Sequence, residues 1–356
     1  MSNHPLLTQP YVSFPSNHIT QEEMIIFLKN LFPNYEDWEL AERMIRNTEI
    51  DGRYLAVPLD ELAKDYTWGE RNEMYRKTAI EMLVPAVMHI LDFNELTPKN
   101  IDMIILTSST GFLMPSLIAY LFNALPFRSS TVQIPVAQMG CVAAAWAINR
   151  SVEYLKANPH HNVLILSAEF SSAVFQKKDC ELHNLVSDSL FGDCVSGAVM
   201  KGKPKSGDSG YSLEKTATFF KHNSINYIKY DVKDDGFHFF LDKNVMHTVP
   251  DLVPVINQMI LEQYQITPNQ LDFYLFHTGG KRILESLSKE LELKDNSLRH
   301  CKHSLRYHGN TISSVILDIF TQKISSQSLH HDMKGMLLAM GPGFTAEMSC
   351  GRWLVY

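Results

Sequence analysis

An internal repeat limits the folds open to this chain more than any other feature of its sequence. The segment LTPKNIDMIILT, residues 96–107, aligns without a gap on ITPNQLDFYLFH, residues 266–277. Each copy has a Thr-Pro turn, an acidic residue and a short apolar run typical of a buried strand. The repeat therefore predicts two similar α/β units, with chance similarity of two Thr-Pro turns as the alternative.

A second correspondence follows the first along the chain. Gly140 and Cys141 open a predicted helix in the first half, and Gly309 and Asn310 open one in the second. Each helix leads to an apolar run, NVLIL at residues 162–166 and GMLLA at residues 335–339. Strands and helices that alternate twice in the same order predict a duplicated α/β fold. Because no Pro/Gly/Ser-rich linker separates the halves, we expect them to pack tightly against each other.

Three helices are predicted before the first copy of the repeat. The sequence TQEE at residues 20–23 is a capping box that leads into an amphipathic helix. A second helical segment spans roughly residues 37–46 and carries Arg43 and Arg46. A third contains Pro85, which should kink or break it. Its apolar residues at helical spacing are Ala79, Met82, Leu83, Ala86, Val87, Ile90 and Leu91.

Composition excludes several classes of function. A chain of 356 residues with 45% hydrophobic and 20% charged residues is typical of a globular protein with a sizeable core. The net charge of −7 gives no basic surface for nucleic acid or anionic membranes. No apolar run reaches membrane-spanning length, and the first residues lack a signal-peptide pattern. The five cysteines are scattered along the chain, which is typical of reduced thiols and predicts a cytoplasmic protein. None of the fifteen histidines has the spacing of a zinc site, so no metal is expected.

Cys141 is the first candidate for chemistry. It lies between an apolar, β-prone run at residues 130–136 and an Ala-rich segment of high helix propensity. At the first turn of a helix, free backbone N–H groups and the helix dipole favour the thiolate over the thiol. On its own, however, a cysteine here is more often a small buried core residue.

His277 and Asn310 stand at comparable junctions in the second half. His277 ends a predicted buried strand and precedes two glycines, so its imidazole should project from the edge of the sheet. Taken singly, His277 is more often a structural residue and Asn310 a helix cap. Together with Cys141 they supply a nucleophile, a base and donors to an oxyanion or enolate, which carbon–carbon bond formation from thioesters requires.

Five motifs in register carry a resemblance to a known family. They are Gly140-Cys141 with its Ala-rich helix, LFGD at residues 190–193, HTGG at residues 277–280, Gly309-Asn310, and GPGFTAE at residues 341–347. The chain resembles the thiolase-fold condensing enzymes, most closely a bacterial-type member of the type III polyketide synthases, the chalcone and stilbene synthase family. The resemblance implies a duplicated thiolase-like fold, two βαβαβαββ halves in α-β-α-β-α layers. Residues 1–205 would carry the cysteine, and residues 206–356 the histidine and asparagine.

The resemblance also implies roles for individual residues. Cys141 would accept the acyl group, while His277 and Asn310 would activate it and hold the malonyl thioester carbonyl during decarboxylation. Phe191 would lie against the malonyl group, and Phe239 would stand between the coenzyme A tunnel and the cavity. Met114 would cross a dimer interface into the cavity of the partner subunit, although packing within its own subunit is the alternative.

The same comparison assigns the remaining predicted site residues. The residues implied to shape the substrate cavity are Ser109, Thr110, Ser171, Val174, Ile312, Gly343 and Phe344. Ile312 replaces a serine that the family usually has, and Phe344 replaces a leucine. Of the basic residues on the second helix that contact coenzyme A, Arg43 matches, Leu40 and Asn47 do not, and Arg46 stands nearby.

The expected activity is therefore that of a type III polyketide synthase. An acyl-CoA starter would load on Cys141, malonyl-CoA would extend it by decarboxylative Claisen condensation, and cyclisation would give a pyrone, resorcinol or phloroglucinol. A homodimer is expected, with no cofactor beyond the coenzyme A thioester substrates. One alternative is a fatty-acid-initiating ketoacyl-acyl carrier protein synthase, which typically has His-Gln-Ala-Asn where this chain has HTGG. The other is a non-catalytic thiolase-fold partner subunit.

Overall fold

The computed structural model describes residues 4–356, which form fourteen strands and eleven α-helices. The strands are β1 Leu6–Leu7, β2 Tyr11–Ser13, β3 Asn17–Thr20, β4 Gly52–Leu55, β5 Met103–Thr107, β6 Val132–Val136, β7 Asn162–Glu169, β8 Cys194–Lys201, β9 Ser209–Phe220, β10 Ile228–Lys233, β11 Gly236–Leu241, β12 Phe273–Phe276, β13 Lys334–Gly341 and β14 Thr345–Val355. The helices are α1 Gln21–Leu31, α2 Trp38–Arg46, α3 Leu59–Leu62, α4 Trp68–Phe93, α5 Leu117–Ala124, α6 Ala143–Ala157, α7 Leu182–Asp188, α8 Val249–Tyr264, α9 Lys281–Glu290, α10 Arg299–His308 and α11 Val315–Ser325.

Ten of the strands are hydrogen-bonded into one mixed sheet. Its order is β12-β13-β14-β9-β1-β8-β7-β5-β6, with β2 pairing beside β8. The strands that follow residue 205 form one side and the earlier ones the other. The short strand β1 joins the two sides, because Leu6 and Leu7 pair antiparallel with both β8 and β9.

The repeat found in the sequence is confirmed at the level of hydrogen bonds. In both copies the Thr-Pro turn becomes a 3-10 turn that leads into a buried strand, β5 or β12. The carboxylate of Asp102 accepts the backbone N–H of Asn162 at 2.8 Å, at the start of the parallel neighbour β7. The carboxylate of Asp272 accepts the N–H of Lys334 at 2.7 Å, at the start of β13. The acidic residue thus fixes the register of a parallel pair in each half.

Helices α6 and α11 lie between the two sides of the sheet. Helix α6 packs against β5, β7 and β8 of the first half and against β13 and β14 of the second. Helix α11 packs against β8, β12 and α6. Both helices are largely buried, since each is apolar on more than one face. This inner helical layer brings the start of each helix, and the residues just before it, into the centre of the protein.

The predicted N-terminal helices are present, with one correction. Thr20 and Glu23 form the predicted capping box of α1, and Asp37 caps α2. Helix α4 runs without interruption from Trp68 to Phe93, so a break at Pro85 is wrong, whereas the kink predicted as the other outcome stays a prediction. Residues on both sides of Pro85, including Leu83 and Val87, are fully buried. Tertiary packing of this helix therefore outweighs the loss of one backbone hydrogen bond.

The predicted division at residues 1–205 and 206–356 stays a prediction, since the sheet is continuous through β1. Residues 1–3 of the predicted first half lie outside the described residues. Outside the large sheet, β10 and β11 form a separate antiparallel hairpin. Among residues 4–356, no helix combines the length and apolar character needed to cross a membrane.

Candidate active site

Cys141 is placed by a tight turn between a strand and a helix. The chain leaves β6, passes through Gly140 with a φ of +50°, and forms a 3-10 turn at Gly140–Val142 that continues into α6. A Cβ atom on Gly140 would lie 2.9 Å from Cγ of Pro342, and the positive φ is itself costly for other residues. Glycine is therefore required here. The predicted position of Cys141 at a helix start is confirmed.

His277 follows the last residue of β12. Its backbone N–H donates to the Leu338 carbonyl at 2.8 Å, which extends the pairing of β12 with β13 by one residue. The side chain is only 3% exposed. Neither Nδ1 nor Nε2 has a hydrogen-bond partner among the described residues. A buried imidazole usually bonds to protein, so this ring is available to a group that enters the site.

Asn310 is held against Phe191 by backbone hydrogen bonds. Its N–H donates to the Leu190 carbonyl at 2.8 Å, and its carbonyl accepts from Gly192 N–H at 3.1 Å. The approach requires glycine, because a Cβ on Gly192 would lie 2.3 Å from the His308 carbonyl oxygen. The side-chain Oδ1 accepts the Ile312 N–H at 2.9 Å. Asn310 thus forms a local turn just before the 3-10 turn at Ile312–Ser314, whose N-cap is Thr311, and it retains Nδ2 as a donor.

Cys141, His277 and Asn310 line one narrow cavity of about 40 Å³. The remaining wall is apolar and comes mainly from the β10–β11 region and the start of α9. Its other lining residues are Leu190, Phe191, Ile228, Phe239, Leu241, Val245, Gly279, Ile283 and Met340. The structure thus brings together the three predicted catalytic residues and both predicted aromatic residues.

Phe191 and Phe239 separate this cavity from a second one. Their rings meet edge to face, with centroids 5.1 Å apart, and we call this pair the aromatic gate. The second cavity, about 50 Å³, has both gate residues in its wall. The predicted residues Ser171 and Val174 line this second cavity, as does Tyr230. The hydroxyl of Ser171 donates to Asp193 at 2.7 Å.

Burial favours the uncharged forms of Cys141 and His277. Apart from the surface that faces the cavity, Cys141 is enclosed by protein. Burial raises the pKa of its thiol to about 12, the nearby Glu169 carboxylate adds to this, and the Asn310 amide opposes it. Burial lowers the pKa of His277 to about 4, against the effect of Asn310. Both shifts run against the predicted thiolate, because loss of hydration opposes the helix dipole, and the thiolate stays a prediction.

Ser109 and Thr110 surround a buried carboxyl group that the sequence analysis did not single out. Oε2 of Glu169 accepts the Ser109 N–H at 2.9 Å, the Ser109 hydroxyl at 3.1 Å and the Thr110 hydroxyl at 3.3 Å. Oε1 accepts the Ser313 hydroxyl from the second half. Burial nevertheless raises the pKa of Glu169 to about 7. Ser109 and Thr110 thus bond to Glu169, and neither lines the two cavities.

Four other predicted residues lie away from the cavities in this subunit. Ile312 is buried with a φ of +56°, a strained conformation for a β-branched residue. Gly343 has a φ of +59°, and its carbonyl accepts the Ser224 hydroxyl at 2.6 Å. Phe344 is fully buried within the large hydrophobic core. Met114 is 88% exposed. Their predicted contact with substrate stays a prediction.

The two predicted coenzyme A contacts lie on α2. Arg43 is exposed and forms no ion pair with the described residues. Arg46 bonds to Glu22 and Glu42, both at 2.7 Å. Among residues 4–356, no three histidine, cysteine or acidic side chains are grouped in a way that could hold a metal ion.

Two residues near the site, Glu169 and Tyr230, were not predicted from the sequence, and only one of them left a recognisable pattern. Glu169 ends the apolar strand β7, and a lone acid there could have been recognised as a junction residue like His277. Tyr230 lies within β10, in a largely polar stretch of sequence, and gave no signal. Its place in the second cavity depends on the tertiary fold.

Comparison with known proteins decides the family. A sequence family described as "FAE1/Type III polyketide synthase-like protein" matches residues 16–230, and "Chalcone and stilbene synthases, C-terminal domain" matches residues 212–352. The chain belongs to the type III polyketide synthase family. Relatives of this polyketide synthase catalyse decarboxylative Claisen condensation, so the enzyme is an acyltransferase. This result favours the main prediction over a ketoacyl-acyl carrier protein synthase or a non-catalytic subunit.

Two characterised relatives resemble this polyketide synthase over nearly its full length. It is 42% identical to a phloroglucinol synthase of Pseudomonas fluorescens, with 98% of this chain and 99% of the relative covered. It is 37% identical to a 1,3,6,8-tetrahydroxynaphthalene synthase of Streptomyces coelicolor, with 98% and 92% covered.

The fold comparison confirms the predicted thiolase-like architecture. The solved structure of the Streptomyces coelicolor 1,3,6,8-tetrahydroxynaphthalene synthase matches this polyketide synthase with a TM-score of 0.95 and 36% identity. The match covers 99% of this chain and 100% of the other. A germicidin synthase from the same organism, 22% identical, shares the fold with a TM-score of 0.91.

Proposed function

We propose that this polyketide synthase binds an acyl group on Cys141 and extends it with units from malonyl-CoA. The observation that carries the proposal is the single cavity shared by Cys141, His277 and Asn310. A thiol, an imidazole with no protein partner and an amide donor are the groups that thioester exchange and enolate formation need.

Loading begins from a neutral pair. Because burial disfavours charge on both groups, the Cys141 thiol gives its proton to His277 as the sulfur attacks the starter thioester. The acyl group moves to sulfur, and the departing coenzyme A thiolate takes the proton back. No lasting ion pair has to form in the apolar cavity.

Extension uses the same donors on a second thioester. His277 and Nδ2 of Asn310 hydrogen-bond the malonyl thioester carbonyl and stabilise the enolate that forms when carbon dioxide leaves. Phe191 gives the malonyl carboxylate an apolar neighbour, so decarboxylation moves the negative charge from a group that this wall cannot solvate to the enolate, which the two donors stabilise. The enolate carbon then attacks the thioester carbonyl on Cys141, the bond from that carbonyl to sulfur breaks, and Cys141 leaves as a thiolate. The extended chain is then a coenzyme A thioester, and it returns to Cys141 by thioester exchange, which releases coenzyme A.

The product is proposed to be a small aromatic polyketide. The cavities on either side of the gate are narrow, about 40 and 50 Å³, which favours short chains. A phloroglucinol synthase is among the relatives, so we propose a phloroglucinol- or resorcinol-type product rather than a pyrone. Each step is thioester exchange, proton transfer or carbon–carbon bond formation, so the proposal needs no cofactor beyond the substrates.

Arg43 is proposed to contact the coenzyme A phosphates, since it is exposed and unpaired among the described residues. Arg46 could join it only by exchanging Glu22 or Glu42 for phosphate.

A cytoplasmic location is proposed because all five cysteines are free thiols. We also propose a homodimer, in which the exposed Met114 is covered by the partner subunit.

The test is product formation by the purified enzyme. With malonyl-CoA alone, and with acetyl-CoA or hexanoyl-CoA as starter, we expect coenzyme A release and an aromatic product identified by mass. Cys141→Ala should abolish acyl loading and product. The matched control is Cys180→Ala, which removes an exposed cysteine outside the cavity and should keep full activity. Polyketide formation by Cys141→Ala, or a strict need for malonyl-acyl carrier protein, would contradict the proposal.

A further inference from the structure

The hairpin that carries the aromatic gate presents two different faces. In the β10–β11 hairpin, Tyr230 pairs with Phe239 and Asp231 pairs with His238. Tyr230 and Phe239 have ring centroids 5.7 Å apart and line the second cavity. Because neighbouring residues of a strand point to opposite faces, His238 lies on the side away from the gate.

His238 is held between two carboxylates. Its Nδ1 lies 2.9 Å from Oδ2 of Asp179, and its Nε2 lies 2.8 Å from Oδ1 of Asp235. The histidine side chain is only 11% exposed. Ionised carboxylates only accept hydrogen bonds, so both contacts are complete only when both ring nitrogens carry hydrogen. We call this group of three residues the His238 clamp.

The clamp joins the hairpin to the loop at residues 175–181. Asp235 lies in the hairpin turn, whereas Asp179 belongs to the loop that precedes α7. The loop is also tied by Gln176, whose Nε2 donates to the Phe237 carbonyl at 2.9 Å. Phe175, at the start of the loop, lines the second cavity.

Both residues of the aromatic gate, Phe191 and Phe239, lie close to the elements that the His238 clamp connects. Phe239 follows His238 directly on β11, and Phe191 follows α7, the helix that the loop leads into. Helix α7 packs against β11. A change in the separation of loop and hairpin therefore changes the separation of Phe191 and Phe239.

We propose that His238 is a positioning residue that sets the width of the aromatic gate and thereby the size of acyl starter that the enzyme accepts. The inference rests on the proposed function, because a gate matters only if acyl thioesters reach Cys141. With the clamp closed, the two rings keep their edge-to-face contact and small starters are favoured. With the clamp open, the rings separate and the two cavities merge for a longer acyl chain.

Charged groups on every neighbouring element surround the clamp. They are Asp179 from the loop, Asp235 from the turn and Asp231 from β10, which bonds to Lys229 at 2.9 Å. Arg71 of α4 donates to the Asp235 carbonyl. Burial acts to raise the pKa of Asp179, but hydrogen bonding to His238 and other groups outweighs it and lowers that pKa, and hydrogen bonding to His238 also lowers the pKa of Asp235. Both carboxylates therefore remain acceptors, so the clamp needs a donor on each side of residue 238.

The test compares two starters in designed variants. For acetyl-CoA and octanoyl-CoA with malonyl-CoA as extender, kcat/KM is measured for each variant at neutral pH. His238→Gln lacks the two separate nitrogens of the imidazole, so it should raise the octanoyl-to-acetyl ratio of kcat/KM about fivefold, as expected for loss of a charge-assisted hydrogen bond. His238→Arg keeps donors for both carboxylates, so it should retain the wild-type ratio.

Two further variants keep the result interpretable. Asp179→Asn removes the carboxylate on the loop side and should shift the starter ratio in the same direction as His238→Gln. Asp231→Asn changes the acid that lies opposite His238 without bonding to it, and it should leave the ratio unchanged. A wild-type ratio in both His238→Gln and Asp179→Asn would overturn the inference, as would a ratio in His238→Arg that shifts as far as in His238→Gln. Absence of product from wild-type enzyme would instead count against the proposed function.

Discussion

The chemistry of the site depends on how little water reaches Cys141 and His277. Both side chains are enclosed by an apolar wall, and burial moves their pKa values in opposite directions, towards the neutral thiol and the neutral imidazole. The negative charge of Glu169 adds to the cost of a thiolate. These shifts favour the neutral thiol and the neutral imidazole in the cavity, and the neutral thiol is the form of cysteine that oxidises less readily.

Alkylation of Cys141 should show this directly. Because its pKa is raised to about 12, the rate of reaction with iodoacetamide should keep rising up to about pH 10, whereas free N-acetylcysteine levels off above about pH 8.5. Peptide mapping by mass separates Cys141 from Cys180. A plateau for Cys141 below pH 8 would show instead that a thiolate–imidazolium pair exists before substrate binds.

At the scale of elements, the junction residues were the most predictable. Cys141 and His277 were placed correctly because a strand, a glycine and a helix leave a local pattern in the sequence. The raised pKa of Cys141 left no such pattern, because its burial depends on Phe191, Phe239 and other residues that are distant in sequence. For the same reason the continuous α4 at Pro85 and the cavity position of Tyr230 could not be read from local patterns.

The repeated aspartates provide a test at this scale. Asp102→Ala should lower the free energy of unfolding by about 1–2 kcal/mol, because it removes the partly buried acceptor of the Asn162 N–H. Asp272→Ala should cost less, about 0.5 kcal/mol, because its bond to Lys334 is exposed to water. Urea unfolding measures both. Asp102→Asn is the control, since its amide oxygen can still accept the Asn162 N–H. Equal losses in the free energy of unfolding for all three variants would contradict the proposal that these aspartates fix the strand register.

For the whole molecule, one surface remains uncovered in the single chain. Phe112 is 57% exposed and Met114 is 88% exposed, in the loop that follows β5. The edge strand β6 lies beside that loop, with the Ser108 N–H bonded to the Val136 carbonyl at 3.0 Å, and Val132 on this strand is 43% exposed. Apolar side chains beside an open sheet edge are typical of an interface between subunits.

Met114→Glu should therefore weaken dimerisation. A charge placed at the centre of a two-fold apolar patch is buried twice in each dimer, so we expect dissociation at micromolar concentration in sedimentation velocity. Product length should change as well if Met114 closes the partner's cavity. Leu261→Glu is the matched control, because it alters an equally apolar residue, 54% exposed, on α8. A fully active wild-type monomer at micromolar concentration would rule out a shared cavity.

The position of β1 in the centre of the sheet has a consequence for synthesis on the ribosome. Leu6 and Leu7 pair with Met200 and Lys201 on one side and with Tyr211 and Ser212 on the other. About 190 residues must be translated before either partner exists, which takes roughly 10 to 40 s at ordinary elongation rates. During that interval β1 has neither partner strand in the nascent chain. The half-made protein, more than the finished enzyme, is thus the form that depends on chaperones to avoid association between strand edges.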